Sequence, residues 1–287
     1  MRKIQIVLIV GTLFLTSCNL KQSQQTSNDS IRHFADEVEH IRSSIKSVED
    51  ISAMLKLSGV DYKPELSHDP NLWVQYQGSE MQMAANMGLY IVDGLYEAAY
   101  SENRNGYLSF MAGKSIAEKI HAEDAFEDMV INTLNQGVAP SDEVLDKLKE
   151  VVFNCEDVLT EQDAMRVFSA MLAGAYIEKQ FILFNSITEL PEELSPNEKL
   201  ALSSRLVIVT KEQLKQLPHL LNLIDLYKAT NENDVIYNDF VVLNDMCESL
   251  NLNEFTGMDS ADAFVNDKRI KEINDKVIKM RAFVVGA

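Results

Sequence analysis

Apolar residues recur at helical spacing along most of this 287-residue chain. Between Phe34 and Leu55 the apolar side chains lie three, four or seven residues apart, so they share one face of a long helix. No segment shows the apolar–polar alternation that is typical of a half-buried strand. The sequence therefore predicts an all-α fold, a single-domain multi-helix bundle of about eight to nine helices.

Local signals predict where several helices begin. Ser79 with Gln82 forms a capping box, which opens a helix that runs to about Tyr100. Ser195, Pro196 and Glu198 supply an N-cap, a proline at the first helical position and a glutamate at the third. The segment after this cap contains Arg205–Val209, which has strand propensity but is assigned to the helix, and Pro218 is expected to kink or split it. Further helices are predicted at 103–120, 124–135, 141–157 (capped by Ser141), 160–185 (opened by Thr160 with Asp163), 235–250 and 261–283 (capped by Asp259).

The N-terminus carries an export signal. Met1-Arg2-Lys3 is basic, and the apolar stretch Ile4–Leu15 is too short to span a bilayer. Leu15-Thr16-Ser17-Cys18 resembles a bacterial lipobox, which implies that Cys18 is acylated and begins the mature chain; an ordinary signal peptide with a chance cysteine is the alternative. We therefore divide the chain into a signal peptide (1–17), the lipidated Cys18 with a polar, flexible tether (18–30) and a helical domain (31–287).

The net charge of the chain limits the classes of partner that it can bind. The chain has 44 acidic and 26 basic residues, and removal of residues 1–17 changes the formal net charge from −18 to −20. Such an acidic protein is repelled by nucleic acids and by anionic lipid surfaces. We expect contact with the membrane only through the N-terminal lipid. No acidic run follows Cys18, so an outer-membrane lipoprotein that faces the periplasm is the favoured location.

Four segments carry a resemblance to a known family. They are LKLSGVDY (Leu55–Tyr62), AANMGLYIVDGLYEAAY (Ala84–Tyr100), AGAYIEKQF around Gly174 and KEQLKQLPHLL (Lys211–Leu221). In order and spacing they resemble a family of all-helical bacterial envelope lipoproteins with no known activity. Gly94-Leu95 departs from the usual Leu-(small) pair, and Ala175 separates a glycine from its aromatic neighbour. The resemblance implies a helical fold and an envelope location, but no chemistry.

Two Glu-x-x-His pairs are the candidate metal ligands: Glu37 with His40, and Glu118 with His121. This spacing places both side chains on one helix face, as in di-iron bundles, which also need two glutamates from other helices. A histidine such as His121, near a helix end, more often interacts with the terminal carbonyls. No zinc-protease, haem or nucleophile-elbow motif is found, so we predict no cofactor and no catalytic residue.

A polar stripe on the helix after Ser79 is the most informative constellation. It comprises Asn86, Tyr90, Asp93, Glu97 and Tyr100 at steps of four, three, four and three. A solvent-facing stripe, a structural cluster in the core and a ligand site are the three interpretations.

The residues near two carboxylates predict that these side chains lie in the protein interior. Asp93 has the small residues Gly88 and Ala99 nearby, and Glu178 lies four residues from both Gly174 and Ile182, so we expect both carboxylates to be buried. Hydrogen bonds from Asn86, Tyr90 or Arg166 are expected to satisfy them. The cluster would be structural first and a ligand site second.

Cys155 and Cys247 are expected to be two separate buried thiols, although export also permits a disulfide. The resulting prediction is a lipid-anchored envelope protein that binds or scaffolds a protein or small molecule. The alternative is a metal-dependent enzyme or metal-binding bundle built on the Glu-x-x-His pairs.

Overall fold

The chain folds into an all-α bundle. The structure, a computed structural model, describes residues 37–39, 52, 55–56, 60–76, 78–136, 142–161, 164–188, 192–227, 235–255 and 260–286, and these residues form no strand. The all-α prediction is confirmed. The helices are α1 (Glu80–Ala99), α2 (Asn103–Ala117), α3 (Asp128–Leu134), α4 (Asp142–Glu161), α5 (Met165–Thr188), α6 (Pro196–Tyr227), α7 (Val235–Glu248), α8 (Ser260–Asn266) and α9 (Lys268–Val284), with short 3-10 helices at Pro64–Leu66, Pro70–Gln75, Glu123–Ala125 and Leu252–Glu254.

Helices α1 and α5 form the centre of the bundle and pack extensively on each other. Every residue of α1 from Ala84 to Ala99 is buried. The stretch Met165–Ser186 is long and apolar enough to cross a membrane, but 94% of its most apolar window is buried inside the fold. Because α1 is buried throughout Ala84–Ala99 and α5 is buried throughout residues 167–180, any polar residue within these two stretches lies in the core.

The other helices surround this pair. Helix α2 packs on α1, α6 packs on α5, and α9 packs on α5 and α7. Helix α9 is amphipathic, and its buried residues recur at steps of three and four: Ile270, Ile273, Val277, Met280 and Val284. This register fixes which face of α9 meets the centre of the bundle.

The predicted helix starts at Ser79 and Ser195 are confirmed. The Ser79 hydroxyl accepts a hydrogen bond from the Gln82 amide at 3.2 Å. The Ser195 hydroxyl accepts from the Glu198 amide at 3.4 Å, and the Ser195 amide donates to the Glu198 carboxylate at 2.9 Å. These reciprocal bonds complete a capping box, as the local sequence predicts. Arg205–Val209 is helical, also as predicted.

The predicted end of α2 is wrong. Helix α2 ends at Ala117 because His121 adopts a left-handed φ of 58° and the Ala122 amide bonds back to the Ala117 carbonyl at 2.9 Å. This is a Schellman-type ending without the glycine that normally signals it. The end of α1 is of the same type but agrees with the prediction: the helix ends at Ala99, Ser101 has a φ of 67°, and the Glu102 amide bonds back to the Glu97 carbonyl at 2.9 Å.

Four further boundaries differ from the prediction. The helix predicted at 124–135 is a 3-10 turn followed by α3, and Thr160 lies inside α4 rather than opening α5. Pro218 does not split α6, because the buried leucines around it hold the helix against the core (Leu214, Leu217, Leu220, Leu223). The helix predicted at 261–283 is broken at Asp267, whose side chain caps α9 by accepting from the Arg269 amide at 2.7 Å. Ser141, Asp163, Asp259 and most of the helix predicted before Gly59 lie outside the described residues.

Candidate functional site

A close crossing of α1 and α5 builds the site. A Cβ atom on Gly174 would lie 1.8 Å from the Ala85 carbonyl oxygen, and one on Gly88 would lie 2.0 Å from the Met171 carbonyl oxygen. Only residues without a Cβ allow the two backbones to approach this closely. The crossing brings Asp93 of α1 and Glu178 of α5 into the same part of the core, and the side chains of both are fully buried.

Glu178 is paired with Arg281 of α9. The guanidinium donates from Nε to Oε2 at 2.6 Å and from Nη2 to Oε1 at 2.7 Å, which is the two-point geometry of a strong ion pair. The Arg281 side chain is only 14% exposed, and its guanidinium lies 4.1 Å from the Phe181 ring centroid. Asn86 helps to hold the end of α9 in place, because its amide donates to the Val284 carbonyl at 2.8 Å.

In the described part of the chain, Asp93 has no ion-pair partner of its own. Its Oδ2 accepts from the His68 amide at 2.9 Å, and Oδ1 has no hydrogen-bond partner among the residues that the structure describes. Burial raises the pKa of Asp93 well above its ordinary range, the nearby Glu178 charge raises it further, and Arg281 opposes both. One guanidinium therefore faces two carboxyl groups, and a neutral Asp93 with a charged Glu178–Arg281 pair balances the charge.

Aromatic rings surround His68 at the edge of this arrangement. The Tyr76 and Tyr90 ring centroids lie 5.9 and 5.6 Å from that of His68, and the Tyr76 hydroxyl shares a hydrogen bond with His68 Nε2. Tyr90 donates its hydroxyl to the Asp69 carbonyl at 3.0 Å. Burial, followed by the Arg281 charge, lowers the pKa of His68 to about 4, so this imidazole is neutral near pH 7. We refer to Asp93, Glu178, Arg281 and His68 as the central polar cluster.

Glu97 forms a second buried acidic position on α1. Its carboxyl group accepts from Ser109 at 2.7 Å and from the Tyr62 hydroxyl at 3.4 Å, and the residue is 3% exposed. Burial raises its pKa to about 7, although these hydrogen bonds oppose the shift. Glu97 is therefore placed to change its charge near neutral pH.

A pocket of about 310 Å³ opens beside the cluster. Its walls come from the 3-10 helix Pro70–Gln75 and the residue after it, the first turns of α1 and the end of α2. The lining residues are Trp73, Tyr76, Met83, Ile116 and Lys119, and we call this the Trp73 pocket. Tyr76 belongs both to the pocket wall and to the hydrogen bond with His68, so it joins the pocket to the central polar cluster.

The polar stripe is not solvent-facing. Its five members are all buried, which excludes that interpretation and leaves the structural and ligand-binding ones (Asn86, Tyr90, Asp93, Glu97, Tyr100). The prediction that Asp93 and Glu178 face the interior is confirmed. The predicted partners are wrong, since Asp93 is bonded by His68 and Glu178 by Arg281.

Arg166 does not take part. It is exposed, and its Nε atom contacts the Met81 sulfur at 3.3 Å. Sequence reasoning missed Arg281, His68 and Trp73. The amphipathic register of α9 was the available signal for Arg281, because it is the basic residue directly after the buried Met280.

The described Glu-x-x-His residues belong neither to the central polar cluster nor to the lining of the Trp73 pocket. Glu37 accepts hydrogen bonds from Asn222 at 3.1 Å and pairs with His219 Nδ1 at 2.8 Å, whereas His40 lies outside the described residues. Glu118 and His121 are exposed. Within the described ranges, no three His, Cys, Asp or Glu side chains come together in a group able to hold a metal ion.

The two remaining cysteines are both free and buried in the structure. Burial raises the pKa of each thiol, that of Cys247 to about 12. Cys18, the signal peptide and the tether lie outside the described residues.

No family model matches the chain. No curated protein and no solved structure matches it either.

Proposed function

We propose that this protein is a lipid-anchored protein of the bacterial envelope whose helical domain binds a small molecule in the Trp73 pocket. The anchor rests on Leu15-Thr16-Ser17-Cys18, which has the pattern of a lipobox. The polar tether that follows would let the domain stand away from the membrane surface. Several acyl chains on one cysteine would hold the protein stably.

The observation that carries the binding function is the Trp73 pocket itself. Its volume of about 310 Å³ lies at the lower end of the range of small-molecule sites, which is roughly 300–1,000 Å³. Two aromatic residues, a methionine and an isoleucine provide apolar walls, and few polar groups are present. This composition is typical of a binding site in which apolar contact supplies the affinity and one or two polar groups set the orientation.

The central polar cluster supports this function by fixing the pocket wall. Tyr76 is 5% exposed and is tied to His68, whose amide is in turn bonded to Asp93. A rigid wall lowers the entropy that binding costs, because the aromatic ring is already ordered before a ligand arrives. The cluster is therefore structural, and the pocket is the binding surface.

Native mass spectrometry of the full lipidated protein, extracted from its source membrane, tests the binding function. We expect a small molecule retained by the wild type. Met83→Phe narrows the pocket and should lose that molecule, whereas Met81→Phe makes the same change at a half-buried methionine outside the lining and should keep it. Wild-type protein without a bound molecule, or equal retention by both variants, would contradict the proposal.

The anchor has its own test. Cys18→Ser removes the thiol that would carry the lipid, so we expect loss of acyl label together with release from the membrane fraction or accumulation of the uncleaved precursor. Wild-type protein that carries no acyl label would exclude the lipoprotein assignment.

A further inference from the structure

The polar groups of the Trp73 pocket favour one class of ligand. The indole N–H of Trp73 and the ammonium of Lys119 can only donate hydrogen bonds. The Tyr76 hydroxyl is already bonded to His68. Apart from the Tyr76 hydroxyl, the polar groups of the lining are donors, one of them with a full positive charge, so the complementary ligand group is an acceptor.

The charge of Lys119 is not neutralised by a neighbour. Five residues earlier, the Lys114 ammonium is paired with Asp128. Lys119 has no such carboxylate in the part of the chain that the structure describes, and Glu118, its exposed neighbour, is not among the lining residues. As far as the chain is described, Lys119 therefore places an exposed, unpaired positive charge at the rim of an apolar pocket.

Long-range repulsion does not prevent an anion from binding here. At physiological ionic strength, exposed charges are largely screened beyond about 8 Å, so the charge nearest to the ligand dominates. That charge is the Lys119 ammonium, which is the cationic group of the lining.

We infer that the Trp73 pocket selects a small anion, with an apolar and preferably aromatic body against Trp73, Met83 and Ile116 and one carboxylate-like group held by Lys119. This inference rests on the proposed binding function and adds the chemical class of the ligand. Stacking on Trp73 and the charge-assisted hydrogen bond from Lys119 would together set the orientation.

The single tryptophan of the chain makes the test direct, because all tryptophan fluorescence comes from Trp73. The lipidated protein in phosphatidylcholine vesicles is titrated with 4-nitrobenzoate, 4-nitrobenzamide and 4-nitrobenzylammonium. These probes share a quenching ring and differ in charge. Quenching is corrected for probe absorption, and saturation distinguishes binding from collision.

We expect 4-nitrobenzoate to bind at least about tenfold more tightly than the amide, which corresponds to about 1.4 kcal/mol. Lys119→Met should remove this preference and leave the affinity for the amide unchanged. Lys268→Met alters an exposed lysine outside the lining, removes the same charge and should keep the preference.

The outcomes separate the two proposals. If the benzoate and the amide bind equally, if the ammonium probe binds best, or if Lys119→Met keeps the preference, the pocket binds small molecules but not anions selectively. The inference is then wrong, while the binding function stands. If none of the three probes quenches Trp73 saturably, both the inference and the binding function fail.

Discussion

Removing the charge of Glu178 without changing its size tests the central polar cluster most directly. Glu178→Gln leaves Arg281 buried and without its two-point partner. Breaking a buried ion pair in this way costs about 3–5 kcal/mol. Because the Arg281 side chain is 14% exposed, water can reach part of it, so we expect the lower end, about 3 kcal/mol.

Asp93→Asn is the matched control and should behave differently. If Asp93 is neutral, the amide preserves its shape, its lack of charge and an oxygen that accepts from the His68 amide. We therefore expect a loss below about 1 kcal/mol. Alanine at either position leaves partners unpaired and should cost about 2–4 kcal/mol.

Urea unfolding at pH 7, followed by far-UV circular dichroism and by Trp73 fluorescence, measures these differences. In both variants the unfolding free energy should fall with urea concentration at the wild-type slope, so that a shift of the unfolding midpoint reports a change in stability. A loss for Asp93→Asn as large as that for Glu178→Gln would mean that Asp93 is ionised. Wild-type stability of both variants would refute the ion-pair argument.

Three other predictions follow from the same structure. Gly174→Ala forces a Cβ atom against the Ala85 carbonyl and should lower the free energy of unfolding in urea by about 3 kcal/mol or more. Gly113→Ala is the control, because its Cβ atom would lie 3.4 Å from the nearest neighbouring atom, and it should change stability by less than about 1 kcal/mol. The folded state holds the Glu97 proton more tightly than the unfolded state, so stability falls as pH rises from its ordinary pKa of 4.5 to about 7, by up to about 3 kcal/mol. The difference in unfolding free energy between the wild type and Glu97→Gln, measured across this pH range, isolates the contribution of Glu97. Parallel pH profiles of the two proteins would contradict the prediction. Alkylation under non-reducing conditions should label Cys155 and Cys247 only after unfolding, and an unfolded protein that takes up no label would indicate a disulfide.

The features that sequence predicts well are local ones. The Ser79 and Ser195 caps depend on hydrogen bonds within three residues, so the residues that decide them are adjacent in the chain. The all-α class follows in the same way from apolar spacing. The missed end of α2 lacks this signal, because His121 takes the left-handed conformation that glycine usually marks.

The candidate site was predictable only in part. Asp93 and Glu178 were identified because small and apolar residues predominate in their helices, and both are buried. The same stripe could be interpreted as solvent-facing because its spacing fits one helix face. Spacing alone does not reveal that α1 is covered on all sides, since that depends on how many neighbours pack on it.

The partners of those carboxyl groups were decided by tertiary structure. Arg281 lies 103 residues from Glu178, and the His68 amide lies 25 residues from Asp93. Sequence alone predicts that a buried carboxyl group needs a hydrogen bond, but many residues can supply it. The register of α9 selects Arg281 for Glu178, because Met280 and Val284 of the same helix are buried in the bundle and Arg281 then lies within hydrogen-bonding distance of Glu178.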